Sequence, residues 1–261
     1  MLEVDVAKVL PKPGCPQVKE TLILPKRITS IRYQRGSIDK AEPTTPCAYT
    51  VVWDDPPVPT TESDDPINNR NSSVLVAPST EPYAQYCAAR TLNSGGNIGW
   101  NDACVVYYVE KNDGNSTWNY YSSHVKSSCG ANGYGNGVLT SCGRGVEMTS
   151  PGQWVDFAPS DGITYDCRTI SNSVTLLHFD VGYNYTSCDE QRAYKYTEPG
   201  KMSTYWKGEQ SQSGTNNNQI LGGTSHHVSV KVPQADGRPS WSHWWNSDAY
   251  YCGGLGLPFC L

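Results

Sequence analysis

From Trp100 to Cys188 the chain alternates runs of Val, Tyr, Trp and Thr with turns of Asn, Asp, Gly and Ser, and cysteines punctuate the alternation. β-branched and aromatic residues suit a pleated, half-buried surface, and the intervening residues suit turns. No apolar repeat of helical period extends over three turns anywhere in the 261 residues. Helical layers are therefore excluded, and sheet packed on sheet remains. Strand candidates recur at intervals of roughly 8–15 residues, the rhythm of an antiparallel sandwich or jelly roll.

The individual segments refine this. Val105–Glu110 and Thr117–Tyr121 flank NDGNS, and an Asp-Gly between alternating runs signals a hairpin. Thr21–Leu24, Ile28–Tyr33, Gln153–Phe157, Ile163–Arg168 and the run HHVSVKV are further strands. The segment Val174–Tyr185 reads as one long strand with a bend at Gly182. Residues 41–70 are rich in Pro, with one strand-like island, CAYTVVW, ending at Trp53. Proline fixes φ and removes a donor, so this part is expected to be extended. The expected fold is an all-β, disulfide-rich antiparallel β-sandwich or jelly-roll-like domain over 67–261. An extended Pro-rich N-terminal arm with short strands, 1–66, precedes it and is expected to mediate self-association.

Ten cysteines, with no CxxC among them, point to a disulfide framework rather than to zinc ribbons or redox motifs. Cys129–Cys142 and Cys252–Cys260 would close short, turn-rich loops and are the favoured local bridges. The N-x-S/T sequons at Asn71, Asn115 and Asn184 are candidate glycosylation sites. Together these features place the chain outside the cell, secreted or on a virion or cell surface. The N-terminal MLEVDVAKVLPKPG has no apolar signal core, so export is expected from a cut precursor or within a virion.

The net charge is −5 and no Lys/Arg cluster stands out, which argues against nucleic acid as a partner. No apolar run approaches the ~20 residues of a membrane-spanning helix. Candidate carboxylates Asp102, Glu147, Asp156 and Asp180 show no spacing that demands a catalytic pair. Adjacent His226 and His227 point to opposite faces of a strand, so they form no metal pair, while His178 and Asp180 would share a face. No G-x-S-x-G occurs. Catalytic residues, metals and cofactors are thus not assigned.

The C-terminal aromatics Trp241, Trp244, Trp245, Tyr250 and Tyr251 lie among Ser, Asn, Asp and Gly. Such rings stack on sugars or fill subunit interfaces. Trp241 and Trp245 would share one strand face and Trp244 the other, so at least one indole is expected to be partly exposed or covered by a partner. The reading that follows is a non-enzymatic extracellular structural protein, or a receptor- or glycan-binding one, in a surface, filament or virion assembly. Its alternative is a secreted carbohydrate-active enzyme of the glycosidase type.

Overall fold

A computed structural model describes residues 1–15, 17–38, 46–59, 77–131, 137–159, 162–164, 168–187, 190–207 and 219–251. Sixteen strands run through them. In the first half these are β1 (Leu2–Asp5), β2 (Lys19–Ile23), β3 (Ser30–Arg35), β4 (Tyr49–Asp55), β5 (Ser79–Asn93), β6 (Asn97–Lys111), β7 (Trp118–Ala131) and β8 (Gly137–Met148). The second half adds β9 (Gln153–Ala158), β10 (Gly162–Thr164), β11 (Arg168–Thr175), β12 (Asp180–Ser187), β13 (Glu190–Lys195), β14 (Met202–Lys207), β15 (Gln219–Pro233) and β16 (Trp241–Tyr251). Among the described residues helix is confined to one turn, α1 (Val6–Val9), and a 3-10 turn at Gln234–Asp236.

The strands form two seven-stranded antiparallel sheets. One has the order β1-β2-β5-β6-β7-β15-β9 and the other β10-β13-β14-β8-β16-β4-β3. Strands β11 and β12 stand apart as a two-stranded hairpin. Alternation decides which face meets which. In β6, Val105, Tyr107 and Val109 join the main core, whereas Tyr108 and Glu110 face the other way. Tyr121 and Val125 of β7, Val228, Val230 and Val232 of β15, and Val51, Trp53, Trp241 and Trp245 of β4 and β16 complete that core. The hairpin expected around NDGNS forms, with Val109 opposite Tyr121. Asn112 and Gly114 turn the chain at positive φ of 56° and 70°.

Two expectations are corrected. First, the described part of residues 1–66 is not an arm. Strands β1 and β2 extend the first sheet through β5, and β3 and β4 extend the second through β16. Leu22 and Trp53 are buried core residues, so these strands are layers of the domain. Second, Val174–Tyr185 is not one strand. Leu176–Phe179 is a tight turn closed by the Leu176 amide donating to the Phe179 carbonyl at 2.8 Å. The turn carries no Gly, Pro or Asn, so the apolar alternation runs through it and hides it.

Disulfides join Cys15 to Cys47 and Cys87 to Cys104. The second pair lies directly across β5 and β6. Cys129 is buried and also disulfide-bonded. The Cys142 side chain and both Cys252 and Cys260 lie outside the described residues, although the Cys142 backbone belongs to β8.

A buried ion pair ties the N-terminal strands to the domain. Glu20 of β2 and Arg90 of β5 have fully buried side chains and are paired. The hydroxyls of Tyr33 and Tyr49 donate to the same carboxylate at 2.8 and 2.5 Å. Burial, then the Glu20 charge, raises the pKa of both phenols, so they stay protonated donors. Removing one partner of such a pair strands the other charge in an apolar setting. Glu20→Ala should therefore cost about 3–5 kcal/mol. Thermal melts would register this as a Tm drop of many degrees, and an unchanged Tm would mean that Arg90 had found another partner.

Candidate functional site, a clamped β-hairpin

The three tryptophans of the C-terminal aromatic cluster are core. Trp241, Trp244 and Trp245 are 2%, 1% and 0% exposed, so the expectation that one indole is open or partner-covered is overturned. The reason lies in the position of β16, an interior strand between β8 and β4 that is buried on both faces. Trp241 stacks on Tyr107 with centroids 5.7 Å apart, and Trp245 meets Trp53 at 4.4 Å. Trp244, on the other face, fills the space over Gly145, where a Cβ would lie 1.9 Å from its ring. Tyr250 and Tyr251 belong to β16 by backbone, and their side chains lie outside the described residues.

The candidate glycosylation sites differ in setting. Asn71 lies outside the described residues. The Asn115 side chain shapes its turn, because Oδ1 accepts from the amides of Thr117 and Trp118 at 2.9 and 3.0 Å. Its Nδ2, the atom a glycan would take, donates to the Tyr120 hydroxyl at 3.2 Å. Asn184 is exposed on β12, opposite Ser171.

The carboxylates singled out in the sequence hold structure. Asp102 accepts from the amide and hydroxyl of Ser128 at 2.8 and 2.7 Å. Glu147 lies 3.5 Å from the Lys201 ammonium. Asp156 and Asp180 both engage Thr175, Asp156 through the backbone amide at 2.8 Å and Asp180 through the hydroxyl at 2.6 Å. His178 does not share its contacts with Asp180. Its Nδ1 donates to Glu110 at 2.5 Å. Among the described residues no group of three His, Cys, Asp or Glu is placed to hold a metal.

The contacts of Asp156, Asp180 and His178 converge on the β11–β12 hairpin, which packs across β9 and β15 on the outer face of the first sheet. Glu110, fully buried, clamps the tip: its carboxylate accepts from the amides of Leu177 and His178 at 2.8 and 3.2 Å and from the His178 ring. Asp156 clamps the end of β11. Between the anchors the strand register lines up Tyr108, Ser122, Ser229 and Asp156 in one row. The next row is Val106, His124, His227 and Ala158. Ser122, Ser229 and His227 are completely buried. The outer face of the first sheet is thus more polar than the face turned toward the second sheet, whose core is mostly apolar and aromatic.

Its imidazoles are neutral at neutral pH. His124 and His227 stack with centroids 5.0 Å apart. Burial, then the Lys126 charge, lowers His124 to about 4, and burial sends His227 well below the usual histidine range. Sequence reading missed Glu110 because a lone Glu at the end of a strand carries no signal. Only the fold places it under a turn 67 residues away.

No protein-family model matches the chain, and no curated protein matches it. Among solved structures, one titled "Pore forming protein" is similar at a TM-score of 0.40 and 10% identity, over 67% of this chain and 92% of that one.

Two outcomes follow from the clamp. Glu110→Ala removes a charged acceptor shared by two amides, each such bond worth about 1.5–3 kcal/mol. Amide hydrogen exchange at Leu177 and His178 should quicken at least tenfold, with core amides of β6 and β7 unchanged. Uniform quickening would mean that Glu110 supports the whole fold. Second, a histidine whose folded pKa is depressed adds no protonation penalty above pH ~6.5, and stability falls as pH drops from there toward the folded value. For His124 alone the loss by pH 5 is about 2 kcal/mol. Denaturant melts at pH 7 and pH 5 should show at least that difference, and His124→Gln should reduce it.

Proposed function

We propose that this is a non-enzymatic extracellular protein that acts on membranes by inserting the β11–β12 hairpin as one strand pair of an oligomeric β-barrel. The observation that supports this reading is the pattern of the hairpin itself. In its register Ile170, Asn172 and Val174 stand opposite Tyr185, Tyr183 and Val181. The alternate positions pair Thr169 with Thr186, Ser171 with Asn184, Ser173 with Gly182 and Thr175 with Asp180. One set is apolar or aromatic apart from Asn172, and the other is small and polar. Spanning barrel strands alternate in this way, apolar toward lipid and polar toward a water-filled lumen. Between Arg168 and Asp180 no residue is Asp, Glu, Lys or Arg, and the tip reads Leu-Leu-His-Phe. Eight-residue strands cover about 26 Å along the strand and about 20 Å of bilayer at the usual ~40° tilt, and the Leu-Leu-His-Phe tip extends this toward the ~25 Å apolar band of such barrels.

Self-association is a physical requirement of this reading. A lone hairpin in lipid leaves two edges of unpaired backbone donors and acceptors, each costing several kcal/mol. Copies must pair edge to edge until the barrel closes. The subunit interface is therefore assigned to the hairpin edges rather than to residues 1–66. Disulfides suit an extracellular setting. No helix among the described residues is long and apolar enough to cross a membrane, and strands are the spanning elements in this proposal. A glycan on Asn184 would sit on the polar face and have to cross the bilayer with it, so the inserting form is expected to be unmodified there.

Release of a trapped dye from phospholipid vesicles tests the proposal. The unaltered chain should release dye and yield oligomers that survive gentle detergent. Val181→Lys puts a charge on the lipid-facing set, at about 2–4 kcal/mol per copy. It should cut release at least tenfold while circular dichroism shows the same β fold. Dye retention by the unaltered chain between pH 5 and 7, or full release by Val181→Lys, would overturn the reading.

A further inference from the structure

A cavity of about 340 Å³ opens beside the Cys15–Cys47 disulfide, between α1, β3 and β4. Val6, Pro11, Val18 and Tyr49 give it apolar walls, and Lys12 and Arg35 supply its charge. Among the described residues no Asp or Glu lines it. Pockets of this size, apolar with a few convergent polar groups, are the usual form of small-ligand sites.

The guanidinium of Arg35 sets the chemistry. Its Nη2 donates to the Leu10 carbonyl and its Nη1 to the Cys47 carbonyl at 3.3 Å. Its Nε is buried with no partner among the described residues. Two carbonyls orient the group without neutralising it, and burial pushes its pKa below the usual arginine range. Three described acidic side chains near it in sequence are committed elsewhere: Glu20 to Arg90, Asp5 to Lys8, and Asp54 to Arg32. Residues 1–38 carry seven Lys/Arg against three Asp/Glu, in a chain whose net charge is −5. A half-buried cation with no carboxylate partner among the described residues, beside a second cation and above apolar walls, fits an oxyanion joined to a small apolar body. Arginine's planar fork matches phosphate and carboxylate geometry.

We propose that this cavity binds the phosphate of an organic phosphate ester, with the anion between Arg35 and Lys12 and the apolar part against Val6, Val18 and Tyr49. A soluble ester and a lipid headgroup present the same chemistry, and the test separates them. The site is independent of the hairpin, so dye release and ligand binding fail or succeed separately.

Isothermal titration with hexyl phosphate and with inorganic phosphate is the first arm. Hexyl phosphate should bind at one per chain and at least tenfold more tightly than inorganic phosphate. Lys12→Glu, at an exposed position, should weaken it at least tenfold. Arg35→Gln should abolish it, with circular dichroism confirming the fold. The second arm is co-sedimentation with vesicles of phosphatidylcholine alone or mixed with phosphatidylserine. Sedimentation that needs the anionic lipid and is lost in Lys12→Glu supports the site with a headgroup as its ligand. Hexyl phosphate binding without sedimentation supports it with a soluble ester. Absence of saturable binding in both arms, or binding unchanged in both folded variants, overturns it.

Discussion

Between the two sheets the Tyr107 hydroxyl donates to Asp55 at 2.6 Å, and His243 Nε2 lies 2.8 Å from the same oxygen. A phenol donates once, so the imidazole Nε2 carries a proton and donates in turn. Arg27 reaches Asp55 at 2.9 Å and supplies the balancing charge. Tyr107 comes from β6 of one sheet, Asp55 and His243 from β4 and β16 of the other. Asp55, Tyr107 and His243 are all buried. Apolar packing is tolerant of small sliding, whereas a buried carboxylate without its donors is not. This clasp therefore fixes which residues of the two sheets face one another, and the stack of Trp241, Tyr107 and Tyr83 is arranged around it.

Fixing the inner faces also fixes the outer ones, because a one-residue slip would turn every side chain over. With Tyr107 turned inward, Tyr108 and Glu110 must face outward, and the polar rows of Ser122, Ser229, His124 and His227 follow by register. The hairpin lies on this side. It is held by a few directed bonds to Glu110 and Asp156, and by the burial of Val174 and Leu176. Water can replace much of what such polar bonds supply, so they cost less to lose than packing in the core. The inner face has no such substitute. One molecule thus combines a cohesive sandwich with an outer hairpin held largely by directed polar bonds, and the difference lies in the polarity of the two faces of one sheet.

The N-terminal strands show the same dependence on pairing. Strands β2 and β3 lie in different sheets, and the loop between Cys15 and Cys47 contains both. The bridge and the Glu20–Arg90 pair hold this wrap in place. They also leave Arg35 lining the cavity, with no acidic residue among the described ones beside it.

The sequence by itself determined the class: all-β, antiparallel and disulfide-bonded. Alternation and turn chemistry are local properties, written residue by residue, and the β6–β7 hairpin was legible down to its Asn112 and Gly114 turn. Burial and partnership belong to layers, and these only the tertiary structure decided. Trp241, Trp244 and Trp245 read as a surface cluster because a strand with apolar residues on both faces looks exposed until both faces are covered. Residues 1–66 read as an arm because the partners that make its described segments strands lie up to about 200 positions away in β16. The hairpin tip read as unbroken strand because its turn uses apolar residues, and Glu110 gave no sign of holding it. A contact that closes across 67 residues leaves no pattern in either segment, since each satisfies its own local rule and the pairing exists only once the chain has folded.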